Sequence, residues 1–232
     1  STNDRARRCA AEGPGPLPLL IVADRQTAGR GRRDNHWWTG TGGLACSLLI
    51  EAAQFGLRRS RSPLVALAAA VAVVDTVQPL LGSQRVGIHW PNDVFVDGRK
   101  LAGILVEVLS KRLYVVGIGI NTNNRLSDAP PELRRTAATL LDLTGTRHDH
   151  TEVLSTLLGH LRDELCLLES SSERVSQRAN QICLQHGNPL TIQTGKQTTS
   201  GRCMGIGTSG ELLLETARGR QEFFSGVLVH QR

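Results

Sequence analysis

Apolar residues fall along this chain in runs whose period changes several times. LPLLIV at 17–22 and LACSLLI at 44–50 are short aliphatic runs with the length and branching of buried strands, separated by a long polar stretch. Ahead of them Ser1-Thr2-Asn3 precedes Ala6, Cys9 and Ala10, the pattern of a capped helix start. Ser62-Pro63 reads as the cap and first residue of an Ala-rich helix that is apolar almost all round and that Pro79 should end. Such a helix belongs in a buried layer against a sheet. Residues 85–90 alternate as a short strand, WPND makes a tight turn, and 94–96 and 101–109 form a hairpin about Asp97-Gly98. Residues 114–120 give a further strand that Asn121 terminates.

Helical periodicity then takes over. Residues 130–143 contain a short helix, and from Thr151, a good cap, apolar residues at 153, 154, 157, 158, 161 and 165 make one stripe. Arg162, Asp163 and Glu164 lie off that stripe as a solvated face, and a second helix is expected around 173–183. Gly187-Asn188-Pro189 breaks the pattern and divides the chain into domains of 1–186 and 187–232. Beyond it LTIQT, GRCMGIG, ELLLET and RQEFFSG are short strands between glycine turns, which fits a small barrel. Residues 205–210 match GxGxxG, but strand-like ELLLE follows where a dinucleotide site needs a helix, so that motif is rejected.

At 232 residues the chain can bury one large core or a core with a small appendage. Aromatic residues make up only 3%, so the core is aliphatic and the three tryptophans stand out. A net charge of +6 suits an anionic substrate or acidic partner, while no recognition-helix pattern supports nucleic acid. Five cysteines without a CxxC suggest neither zinc nor a disulfide framework, and a reduced, cytoplasmic setting is expected. His148 and His150, two apart, fall on different faces of a helix instead of chelating together. The apolar run 64–74 is too short to span a bilayer and too far along the chain for a signal peptide.

The polar stretch DRQTAGRGRRDNHWWTGTGGLACS, 24–47, is where chemistry concentrates. Gly29 and Gly31 let the backbone approach a ligand closely, and Arg30, Arg32 and Arg33 offer guanidinium forks for carboxylate or phosphate. Trp37 and Trp38 add aromatic faces on which a ring can stack. A solvated basic loop or a nucleic-acid contact would use the same residues. Downstream, HWPNDVFVDGRKLAGILVEV at 89–108 and VVGIGIN at 115–121 follow in order. Together with QTAGRGRR these resemble the biotin protein ligase family, and the resemblance spans nearly the whole chain.

That resemblance implies an α+β catalytic domain, a mixed sheet with helices on one side, followed by an SH3-like barrel. It implies attack of the biotin carboxylate on Mg-ATP to give biotinyl-5′-adenylate, then transfer to a lysine of a biotin carboxyl carrier protein domain. By motif match, Ser1, Thr2, Asn3, Gln26, Arg30, Gly31, Arg32, Lys100 and Gly103 surround biotin. Arg30, Arg32, Trp37, Asn92, Lys100 and Asn121 hold the nucleotide. Lys100, Arg30 and Asp93 are the catalytic candidates, with Asp93 orienting the acceptor lysine or the magnesium; the metal ligands and the oligomeric state, a homodimer included, stay open. The chain departs from the family pattern at Asp34, at His89 before WPND, and at Val227 in the last turn. A lipoate or octanoate transferase of the same fold, and a non-catalytic biotin-binding or nucleic-acid-binding regulator, are the alternatives.

Overall fold

The computed structural model describes residues 1–33, 35–57, 62–109 and 112–229; Asp34, one of the departures above, lies outside them. Its elements in order are α1 (Thr2–Glu12), β1 (Leu19–Ala23), β2 (Leu44–Glu51), α2 (Ser62–Leu81), β3 (Val86–His89), β4 (Asp93–Val96), β5 (Arg99–Val108) and β6 (Leu113–Ile120). Then come α3 (Leu140–Thr144), α4 (His150–Gln181), β7 (Pro189–Thr194), β8 (Gln197–Ile206), β9 (Leu212–Thr216), β10 (Gly219–Phe223) and β11 (Val227–Val229).

The first sheet has the order β1-β2-β6-β5-β4-β3, and every neighbouring pair is antiparallel. This corrects the mixed sheet expected from the resemblance. Strands β3 to β6 follow one another through short turns, and a short turn can only return the chain antiparallel. The helices also take both faces. Helices α2 and α4 cover one, where Ile50, Ile104, Tyr114 and Ile120 are buried; α1 covers the other, where Ala6 packs on Leu49 and Val115. Adjacent residues such as Leu49 and Ile50 point to opposite faces, so unbroken aliphatic runs in β2 and β6 signal burial on both sides.

Helix α2 runs to Leu81 with Pro79 inside it. Two further residues continue past the proline before Gly82, with φ of 60°, ends the turn. By length and composition it is the one described helix that could cross a membrane, and 72% of its most apolar window is buried inside the protein. Helix α4 joins the two helices expected at 151–168 and 173–183, with non-helical torsions at Ser171 marking the kink. Its cap is Asp149, not Thr151, accepting from the Thr151 and Glu152 amides. His148 therefore lies outside the helix and His150 begins it.

Glu164 does not belong to the solvated face expected for it: it is 2% exposed. The kinked second half of α4 brings Arg178 back onto it, and Arg178 Nη2 also reaches Asp75 Oδ2 on α2 at 2.6 Å. Burial raises the Glu164 pKa, and Arg178 opposes that rise. Arg178→Ala should therefore cost about 3 kcal/mol of stability at neutral pH, since it leaves a buried carboxylate uncompensated. A raised folded-state pKa makes the fold bind the proton more tightly, so the loss should shrink as pH falls through that pKa. Denaturant melts at pH 7 and pH 5 check this; equal losses at both would detach the effect from Glu164.

The second sheet has the open order β10-β9-β8-β7-β11, again antiparallel. It is keyed to the first through Trp90, 1% exposed, whose Nε1 donates to Gly210 O at 3.0 Å and whose backbone N–H donates to Gln185 Oε1 at 3.1 Å. The turn after β3 is thereby fixed against the second sheet.

Candidate active site

Glycines on the β5–β6 ladder make the floor of the site. Gly103 on β5 pairs with Gly119 on β6, and Gly117 lies two residues earlier on the same face. A Cβ at Gly117 would run into the Asn3 side chain and one at Gly119 into the Trp37 indole. At Gly103 it would meet Trp37 at 3.1 Å, Lys100 Cε at 3.3 Å and Asp93 Oδ1 at 3.4 Å. VVGIGIN thus has glycines because side chains from α1 and the arginine loop lie flat on the strands. Gly103, expected to face ligand, lines the cavity with the Trp37 ring close beside it.

Above this floor is a cavity of about 290 Å³, lined by most of the residues singled out in the sequence: Ser1, Thr2, Asn3, Gln26, Arg30, Gly31, Arg32, Trp37, Asn92, Asp93, Lys100 and Gly103. At its α1 end the polar groups bond to one another. The Thr2 amide donates to Gln26 Oε1 at 2.8 Å, Gln26 Nε2 to Thr39 Oγ1 at 3.1 Å, and Asn3 Nδ2 to Glu107 Oε2 at 2.8 Å. Ser47 Oγ, buried in β2, lies 2.7 Å from Thr2 Oγ1 and 2.6 Å from Asn3 Oδ1. Ser1 caps α1 without a side-chain hydrogen bond, so its hydroxyl is not used in capping.

The arginine loop folds back on itself. Trp37 N donates to Gly29 O at 3.0 Å and Gly31 N to Asn35 O at 2.7 Å, with Arg33 at the turn at φ of 57°. Arg30 is held by two carboxylates: Nη1 reaches Asp4 Oδ1 at 2.9 Å and Nη2 reaches Glu107 Oε1 at 3.1 Å. Burial lowers its pKa, and Glu107 and Asp4 more than offset this, leaving it above the ordinary arginine value. Arg32 differs. Its Nη1 donates to the neutral Asn92 Oδ1 at 3.1 Å, and burial, with Arg33 adding to it and Asp93 opposing, holds its pKa below the ordinary value. Of these two cations expected at the nucleotide, Arg30 is paired with two carboxylates and Arg32 with a neutral amide oxygen.

At the far end Lys100 Nζ is 2.8 Å from Asp93 Oδ1 and 5.5 Å from the Trp37 ring centroid. Asn92 fastens the turn to β5, with Nδ2 donating to Ile104 O at 2.6 Å and its own carbonyl accepting from Ile104 N at 2.9 Å. Asn121 is not on the cavity wall. It is 5% exposed, near the Lys100 carbonyl at 3.5 Å, and accepts from Asn124 Nδ2 at 3.1 Å, so it supports the strand that carries Lys100. Trp38 packs over Gly40 and is likewise away from the cavity. His89 stacks on Phe95 with centroids 4.3 Å apart, and Gly226, Val227 and Leu228 of the second sheet close one side. Sequence reading missed Glu107, Ser47, Asp4 and Thr39. A lone serine in an aliphatic strand and a lone glutamate in GILVEV were the available signals.

A family model described as Biotin/lipoate A/B protein ligase matches residues 11–123, which hold the arginine loop, WPND, Lys100 and VVGIGIN. Over 97% of this chain, the bifunctional ligase/repressor BirA of Bacillus subtilis is 32% identical, with 70% of its own length covered. The biotin–[acetyl-CoA-carboxylase] ligase of Mycobacterium tuberculosis is 30% identical over 100% of this chain and 86% of its own. The chain belongs to the biotin protein ligase family. Among solved structures of that family, the Aquifex aeolicus ligase in complex with biotin and ATP superposes with a TM-score of 0.85 at 29% identity, covering 99% of this chain and 94% of the other. The α+β layout and the antiparallel sheet above are thus those of a biotin ligase.

Proposed function

We propose that this chain is an ATP-dependent biotin–[biotin carboxyl-carrier protein] ligase. The observation that carries the reading is one cavity with two chemically different ends. One end is a ring of neutral hydrogen-bonding groups, Thr2, Asn3 and Gln26; the other holds Lys100 and Arg32. A cyclic urea fits the first and phosphate the second. The dithiolane of lipoate has no polar hydrogen to satisfy the first, which favours biotin over a lipoate or octanoate transfer. Biotin and ATP are the ligands in the complex of the Aquifex aeolicus relative.

In the first step a biotin carboxylate oxygen bonds to the α-phosphorus and the bond to pyrophosphate breaks, leaving biotinyl-5′-adenylate. Magnesium enters with ATP as part of the substrate. In the second, an acceptor lysine amine attacks the acyl carbon, AMP leaves and the amine proton is lost. Two anions must meet in the first step, so cations aimed at the reacting phosphate supply the stabilisation. Lys100 and Arg32 do this, and Asp93 orients Lys100 and then the incoming lysine. Trp37 offers its face to adenine. Residues 1–186 form the catalytic unit, and 187–232 a small SH3-like unit whose Gly226–Leu228 segment borders the nucleotide. The partner is a carrier domain in the cytoplasm.

The test is to incubate the protein with biotin, magnesium, ATP and a biotin carboxyl carrier domain, then weigh the acceptor and measure pyrophosphate. One biotinyl group per acceptor with matching pyrophosphate is expected, and none with lipoate. Biotin binding without pyrophosphate would instead make the chain a sensor.

A further inference from the structure

Glu107 lies on β5 seven residues beyond Lys100, inside the 89–108 motif but without a role assigned there. Its two oxygens take four hydrogen bonds from three residues. Oε2 accepts from Asn3 Nδ2 at 2.8 Å and Arg30 Nη1 at 3.2 Å; Oε1 accepts from Arg30 Nη2 at 3.1 Å and Arg7 Nη1 at 3.2 Å. We propose that Glu107 is a positioning residue that makes the site selective for a ligand N–H, by fixing which way the Asn3 amide faces. The proposal rests on the reading of biotin as substrate.

An ionised carboxylate only accepts hydrogen bonds, so Asn3 must turn its NH₂ toward Glu107. The second proton of that NH₂ goes to another pure acceptor, Leu105 O, at 3.3 Å. Asn3 Oδ1 is thereby forced to the other side, over the bare Gly117 backbone and 2.6 Å from Ser47 Oγ. Ser47 has one proton, and an amide oxygen can only accept it. Asn3 lines the cavity, and one lone pair of its Oδ1 remains free of protein donors: it accepts a ligand hydrogen, such as an N–H, and repels a ligand acceptor. A ureido ring has two such hydrogens. The orientation of this amide is thus dictated from behind by a residue that never touches the ligand.

Glutamine at 107 keeps the size but exchanges one acceptor for a donor pair. With Arg30 Nη2 and Arg7 Nη1 both demanding the Oε1 position, the new NH₂ takes the place of Oε2, gives up the bond from Arg30 Nη1 and faces Asn3, which must then flip and present its own NH₂ toward the ligand. Glu107→Gln should weaken biotin by about ten- to a hundredfold, the loss of one buried hydrogen bond together with a mismatched donor. ATP affinity should stay within about twofold. A merely structural role would predict the same loss for every ligand. The decisive measurement is therefore the ratio of calorimetric Kd values for biotin and for its two ring-carbamate analogues, in each of which an ether oxygen replaces one ureido N–H. In the unaltered protein one analogue should bind far more weakly than biotin; in Glu107→Gln that ratio should fall toward one. Glu107→Asp, which still only accepts, should keep most of the ratio even if total affinity drops. An unchanged ratio in Glu107→Gln, or equal loss of biotin and ATP binding, overturns this inference alone. An unaltered protein that fails to bind biotin at all overturns the function as well.

Discussion

Lys100→Ala is expected to lower ATP–pyrophosphate exchange by at least about a hundredfold, the scale seen when one donor to a developing oxyanion is removed. The ammonium lies in the same cavity as Arg32, 2.8 Å from Asp93 Oδ1 and beside the Trp37 face. Its charge matters most as negative charge moves onto the phosphoryl oxygens, so the rate should suffer more than ground-state biotin binding. The fold should survive. The backbone at Lys100 is held independently of its side chain, by Lys100 N donating to Thr136 O at 2.8 Å and Lys100 O accepting from Ala138 N at 2.8 Å. Given preformed biotinyl-adenylate, the variant should recover part of its transfer activity, because the anhydride already exists. Lys100→Arg should not restore exchange: a planar fork does not fill the place of a point charge between Asp93 and Trp37. Exchange at the unaltered rate in Lys100→Ala would make Lys100 only a hairpin lysine.

Much of the scaffold is legible in the sequence because aliphatic runs of strand length declare themselves. The strands expected at 17–22, 44–50, 85–90, 94–96, 101–109 and 114–120 match β1 to β6 with ends shifted by a residue or two. What was not legible depends on tertiary approach. Glu164 sits in a charged triplet that reads as solvated, and only the kink at Ser171 brings Arg178 onto it. Which helix covers which face of the sheet follows from tertiary packing, which periodicity does not state. Within the site, the motifs located the cavity, but identical guanidinium groups two residues apart cannot be told apart by spacing. Their difference is made by Asp4 and Glu107, each distant in the chain from the loop it anchors.

That difference yields the second large effect, in the contrast between Arg32→Ala and Arg30→Ala. Arg32 has a neutral partner in Asn92 and a partly buried charge, so a phosphate oxygen would gain a charge-assisted bond from it. Losing such a bond costs roughly 1.5–3 kcal/mol, or about ten- to a hundredfold in affinity. The loss should fall on biotinyl-adenylate while biotin alone binds nearly as before, because only the adenylate carries the phosphate. Released adenylate is a reactive anhydride, so lysines of bystander proteins added to the assay should become biotinylated. Arg30→Ala should act differently. It removes the tie between the loop, Asp4 and Glu107, and so should weaken biotin and adenylate together and lower thermal stability, with little bystander labelling. Calorimetry with biotin and with a non-hydrolysable adenylate, beside mass spectrometry of an added bystander protein, separates the two variants. If Arg30→Ala leaks adenylate and Arg32→Ala does not, the phosphate cation is Arg30, and its pairing with Glu107 and Asp4 must open when the nucleotide binds.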